Sequence, residues 1–191
     1  MRDVTFIIKR LWNFIWKEDS LLSWVVNIIL AFVIVKFIIY PGLGFILGTS
    51  YPVVAVVSGS MEHSGYNFDD WWALNSMLYK NFNISKNDFS SYRFKNGFDK
   101  GDLMIIVGSD KIKKGDVVVF RGSHGEPIIH RAVLVDEEDE KFFVQTKGDN
   151  NKASRDDELN ITSDRIIGVA KFRVPYLGWF KLGFLSLIGK A

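Results

Sequence analysis

Two serines separated by one glycine, Ser58-Gly59-Ser60, stand where an apolar run, VVAVV at 53–57, gives way to a polar segment. β-Branched side chains favour a pleated, covered surface, so the run predicts a buried strand that ends at the serines. A hydroxyl pair in that place suits a nucleophile with a hydrogen-bond donor beside it. It equally suits an ordinary Ser-Gly-Ser turn. The chain has no cysteine, so nucleophilic catalysis would rest on Ser, Thr or Lys, with His or Lys as base.

There are three histidines, His63, His124 and His130. His124 lies in the glycine loop SHGEP and reads as solvated. His63 shares the serines' own loop, where a base and a nucleophile are difficult to align. His130 interrupts PIIHRAVLV, an otherwise apolar strand, and a buried imidazole there needs a polar partner. A structural role meets that need as well as a catalytic one. The acidic segment TKGDNNKASRDDELN adds Asp149, Asp156 and Asp157, in a spacing unlike the alternating ligands of an EF-hand. Each piece alone reads as ordinary structure. Together they supply a hydroxyl at a strand end, an imidazole in a strand, and a carboxylate able to hold that imidazole's tautomer.

The elements that must position these groups are mostly strands. Apolar, β-branched runs at 51–57, 103–107, 117–121, 128–136, 142–147 and 166–174 are separated by turn signals such as Lys114-Gly115-Asp116 and Gly148-Asp149-Asn150. No helical pattern alternates with them, which argues against a parallel βαβ sheet. The expected fold is mainly β, a small antiparallel coiled sheet or barrel. Residues 64–100 interrupt that plan. Asp69 or Asp70 can cap a short helix carrying Trp71, Trp72, Leu74, Met77 and Leu78, and the remainder reads as loop. The adjacent tryptophans suit either a dip into a membrane interface or a small satellite core.

A length of 191 residues suits one compact domain with an appendage. The net charge of +2, with no basic stripe, excludes a nucleic-acid binder. The appendage is LLSWVVNIILAFVIVKFIIY at 21–40, whose polar members are Ser23, Asn27, Lys36 and Tyr40. As a helix it would span roughly 30 Å, the thickness of a bilayer's hydrocarbon core. Pro41-Gly42 is expected to end it. Arg2, Lys9, Arg10 and Lys17 precede the span and no Lys or Arg follows until Lys80, which predicts a cytoplasmic N-terminus in a single-pass cell-membrane protein. The chain thus divides into an amphipathic cytoplasmic segment (1–20), an anchor (21–40) and an extracytoplasmic domain (41–191). That domain contains the 64–100 insertion and an apolar tail at 174–191 expected at the membrane surface.

The ordered set SGSM (58–61), GDVVVF (115–120), HR (130–131), GDNN (148–151) and VPYLGW (174–179) resembles type I signal peptidases. The likeness is to the archaeal and endoplasmic-reticulum branch, in which histidine replaces a lysine base. It covers the anchor and nearly all of the β-domain but not residues 64–100. The resemblance implies a serine endopeptidase that removes signal peptides after small residues at −1 and −3, with no cofactor. Its implied partners are preprotein signal peptides, the lipid bilayer and the Sec translocon. Ser60 would be the nucleophile, His130 the base, and Ser58 an oxyanion donor beside the Ser60 amide. The loop carries one residue more than the family spacing, and alignment on D-x-x-L selects Asp156 as the orienting acid, with Asp149 supporting and Asp157 next. The alternatives are a non-catalytic, membrane-tethered scaffold on the same β-fold and a self-processing protease of the repressor type; the anchor, in place of a DNA-binding module, speaks against the latter.

Overall fold

A computed structural model describes residues 2–138, 141–179 and 182–183. The chain forms two compact units that divide between Ile46 and Leu47.

In the first unit, α1 (Arg2–Trp16) is followed by α2 (Leu21–Ile34), whose N-cap Ser20 accepts from the Ser23 amide at 3.2 Å. The last carbonyls of a helix have no partner within it. Two polar residues of the apolar run satisfy them here: Ser23 Oγ donates to Phe14 O at 2.7 Å, and Asn27 Nδ2 to Ile15 O at 3.0 Å. Ser23 and Asn27 are four apart and so share a face.

The helix does not stop at Pro41. It passes through a π-helical stretch, Val35–Ile39, into α3 (Tyr40–Leu47). Leu21–Leu47 is then a continuous run of 27 residues, and among the described residues it is the one helix long and apolar enough to cross a bilayer. The widened turn explains the passage. Tyr40 N–H donates to Val35 O, five residues back, and this local rearrangement next to Pro41 accommodates the missing donor and the bulky ring. Gly48, at φ 64°, then takes the left-handed conformation that ends helices.

The second unit is an antiparallel sheet of β1 (Val53–Ala55), β2 (Leu103–Val107), β3 (Val117–Arg121), β4 (Pro127–Glu138), β5 (Lys141–Lys147), β6 (Ile161–Thr162) and β7 (Ile166–Val174). Its spatial order is β1-β2-β7-β3-β4-β5-β6. Among the described residues β1 and β6 do not pair with each other, so the sheet is open and not a closed barrel. Register shifts at Ile105/Ile106, Val119/Phe120 and Ala132/Leu134 give it the local bends that coil such sheets. Successive side chains of a strand point to opposite faces. Val117 and Val119 enter one core with Val54, Val56, Met61 and Met104, while Val118 and Phe120 enter another with Ala132, Val144 and Ile161. β3 is therefore covered on both sides.

β1 is shorter than its apolar run. Val57 is 55% exposed, and Val56 is held by bonds outside the regular ladder, its N–H to Asp102 O and its carbonyl from Gly101 N–H, both 2.9 Å. The insertion holds two helices, α4 (Phe68–Lys80) and α5 (Lys86–Ser91). The cap of α4 is Asn67, not Asp69 or Asp70; its Oδ1 accepts from the Asp70 amide at 3.0 Å. Trp71, Trp72, Tyr79 and Phe89 pack with Val133 of β4 into a third cluster. With Trp71 2% and Trp72 8% exposed, the satellite core is the reading that stands. Of the 174–191 tail, residues 180–181 and 184–191 lie outside the described residues.

Candidate active site

Ser60 sits in the turn that follows β1, where Glu62 N–H donates to Gly59 O at 3.2 Å. The 148–151 loop grips this turn. Asn150 N–H donates to Ser60 O at 2.8 Å, and Asn150 Nδ2 to Gly59 O at 3.0 Å. The approach depends on Gly148, because a Cβ there would lie 2.7 Å from Ser60 O.

His130 comes from β4, opposite Val118 of β3, and is 4% exposed. Its Nε2 lies 2.8 Å from Ser60 Oγ, and its Nδ1 meets Glu158 Oε1. Glu158 is buried at the end of the short 3-10 turn Asp156–Glu158. Thr146 Oγ1 donates to its Oε1 at 3.2 Å and the Arg155 amide to its Oε2 at 2.9 Å. Burial raises the pKa of Glu158, but hydrogen bonds from His130, the Arg155 amide and Thr146 outweigh burial and hold it below the ordinary value. An ionised carboxylate only accepts, so the imidazole carries its proton on Nδ1 and offers the Nε2 lone pair to Ser60.

Glu158 therefore stands where Asp156 was expected. A 3-10 helix turns once in three residues, so positions 156 and 158 face different directions. Asp156 is exposed to solvent, and Asp157 lies 3.4 Å from Arg155. The extra residue in the loop was the available signal, since it puts acids beyond the aligned one within reach of the histidine.

Asp149 does not touch His130 either. It is fully buried against Arg131, which follows His130, at 2.9 Å from Nε and 2.6 Å from Nη2. Tyr79 OH of α4 adds a bond at 3.0 Å and His63 Nε2 one at 3.2 Å. Burial pushes the Asp149 carboxyl up, but the Arg131 guanidinium and His63 hold it well below the usual carboxylate range. Lys147 completes this support. Its ammonium donates to Gly148 O at 2.8 Å and Asn151 O at 2.7 Å and lies 4.6 Å from the centre of the Tyr79 ring. Burial lowers its pKa from the ordinary 10.5 to about 8.

The other histidines stay away from Ser60. His63 stacks on Trp71 with ring centroids 3.7 Å apart, and His124 is exposed. Ser58 Oγ lies 3.1 Å from Ser60 Oγ. Among the described residues the Ser60 amide donates to no other group. A hydroxyl and an open amide thus stand beside one nucleophile-like oxygen.

A serine hydroxyl, an imidazole and a buried carboxylate joined in series form the arrangement that serine hydrolases use, here with the serine after the edge strand β1 and the histidine on the inner strand β4 of an open antiparallel sheet. Over most of its length the chain is homologous to the catalytic subunit of the eukaryotic, endoplasmic-reticulum type of signal peptidase, the Ser–His branch. It is 28% identical over 171 residues to the signal peptidase complex catalytic subunit SEC11 of Scheffersomyces stipitis, covering 80% of this chain and 82% of the relative. The SEC11 proteins of Candida albicans, at 27% over 172 residues, and Lachancea thermotolerans, at 28% over 173, are matched over 80% of this chain and 83% of their own. No family profile matches the chain. These relatives are all eukaryotic.

Proposed function

We propose that the chain is a membrane-anchored serine endopeptidase that removes signal peptides from exported preproteins, cutting after small residues at −1 and −3. The observation that carries this reading is the series Ser60–His130–Glu158, with 2.8 Å between Ser60 Oγ and His130 Nε2. Ser60 Oγ attacks the scissile carbonyl while Nε2 takes its proton, and Glu158 stabilises the imidazolium so formed. The oxyanion accepts from the Ser60 amide and the Ser58 hydroxyl. His130 then protonates the leaving amine. In the second half a water, deprotonated by His130, releases the acyl group and restores Ser60.

The outer edge of β1 supports the substrate side of the reading. An extended segment can pair with it as an added strand and lead its carbonyl to Ser60. The preference for small residues is supported by the likeness to signal peptidase subunits. The placing of the catalytic unit outside the cytoplasm is supported by Arg2, Lys9, Arg10 and Lys17 before the span and the absence of Lys and Arg from 37 to 79. A preprotein delivered by the Sec translocon would meet the enzyme at the bilayer.

The test is cleavage of a preprotein in membranes carrying the wild type or Ser60→Ala. Cleavage by the wild type alone is the expected result. Equal processing by both proteins would leave a tethered scaffold as the better description.

A further inference from the structure

We infer that Asn150 is a positioning residue that sets the oxyanion-binding power of the site by orienting the Ser60 amide. This rests on the peptidase reading above. The Gly59–Ser60 peptide, like every described peptide bond, is trans. In a planar trans unit the C=O and N–H point in opposite directions, so whatever fixes the Gly59 carbonyl also aims the Ser60 N–H. Asn150 Nδ2 holds that carbonyl at 3.0 Å. The main-chain N–H of the same residue holds the Ser60 carbonyl at 2.8 Å. One residue therefore fixes the peptide planes on both sides of the nucleophile.

The turn needs such a restraint. Gly59 has no Cβ to limit its backbone, and the Glu62 amide, at 3.2 Å, is the other donor to its carbonyl among the described residues. Asn150 is itself held firmly. Its neighbour Asp149 is buried on Arg131, and Lys147 binds the carbonyls of Gly148 and Asn151. The clamp is thus anchored through β4 and β5, while its amide tip acts on a peptide whose N–H donates to no other group among the described residues. A donor aimed in advance acts where charge develops, and so favours the transition state over the bound substrate.

The experiment compares wild type, Asn150→Ala and Asn150→Asp in the full-length, membrane-reconstituted protein. Substrate cleavage is read together with binding of a peptide aldehyde, which forms a tetrahedral adduct on Ser60, and of a product peptide, which does not. Asn150→Ala should lower kcat roughly tenfold or more, less than the ~10²–10³ of a direct donor. KM and product-peptide affinity should stay within about twofold, and aldehyde affinity should fall with kcat. Asn150→Asp should do no better, because a carboxylate has no proton to give the Gly59 carbonyl. Unchanged kcat in Asn150→Ala overturns the inference. So does a loss confined to KM, which would make Asn150 a substrate contact, or an equal loss of product-peptide binding. Retained cleavage by Ser60→Ala would overturn the peptidase reading instead, and the two failures are distinguishable.

Discussion

Nδ1 of His130 meets the carboxylate of Glu158, which sits on a short turn 28 residues further along the chain. The pair is buried, and Thr146 and the Arg155 amide occupy the acid's other accepting positions. Glu158→Gln would keep the shape and remove the charge that fixes the tautomer. It should lower kcat by about 10²-fold or more, by analogy with the loss of a triad acid. Asp156→Asn, on the exposed side of the same turn, should cost little. Steady-state kinetics of the two variants checks both statements, and a costly Asp156→Asn beside a silent Glu158→Gln would reverse the assignment.

Ser58 Oγ stands 3.1 Å from Ser60 Oγ. If its hydroxyl donates to the oxyanion, Ser58→Ala should lower kcat by ~10²–10³, about 2.7–4 kcal/mol, with little change in KM. Full kcat in that variant would remove Ser58 from the site.

The Arg131–Asp149 pair makes a prediction about stability. Removing one partner of a buried ion pair leaves an uncompensated charge, so Asp149→Asn should destabilise the domain by about 3–5 kcal/mol in denaturant titration. The pH dependence follows from the lowered carboxyl pKa of Asp149. The unfolded chain binds the extra proton first, so the contribution is complete above the ordinary carboxylate value of ~3.9 and declines as pH falls through the lower folded value. Wild-type stability should therefore drop below about pH 4 more steeply than that of the Asn variant. Parallel curves would place the acid sensitivity elsewhere.

The charge bias around the span makes the fourth prediction. Protease added to intact, wall-free cells should digest the unit that follows Leu47 and spare α1. The opposite pattern would put the site on the cytoplasmic side.

Ser60 and His130 were legible because each breaks a pattern. One follows an apolar run with a hydroxyl, and the other puts an imidazole inside an apolar strand. The strands β2, β3 and β7 were legible to the residue as runs rich in β-branched residues between turn signals, even though Gly168, Lys171 and Arg173 interrupt β7. Glu158 was hidden because motif spacing counts residues, whereas a 3-10 turn selects direction. α5 has only six residues, KNDFSS, and no apolar period. It is fixed by the reciprocal Ser85–Asp88 cap and by Phe89 entering the satellite core. Asn27 read as a blemish in an anchor because its partner, the end of α1, is a tertiary contact. Pro41 read as a stop because the π-turn beside it leaves no mark in composition.

β1 has three residues, and its outer side pairs with no strand among the described residues. A row of amides and carbonyls offers the same bonds to any chain that can lie flat, because those groups belong to every amino acid. A client held in this way is recruited by its posture. Selection would then act by exclusion, through side chains too bulky to seat beside Ser60. A short edge has a second effect. Three residues would bind weakly, so a segment severed there would leave readily, and the edge would stay free for chains that share almost no sequence with one another.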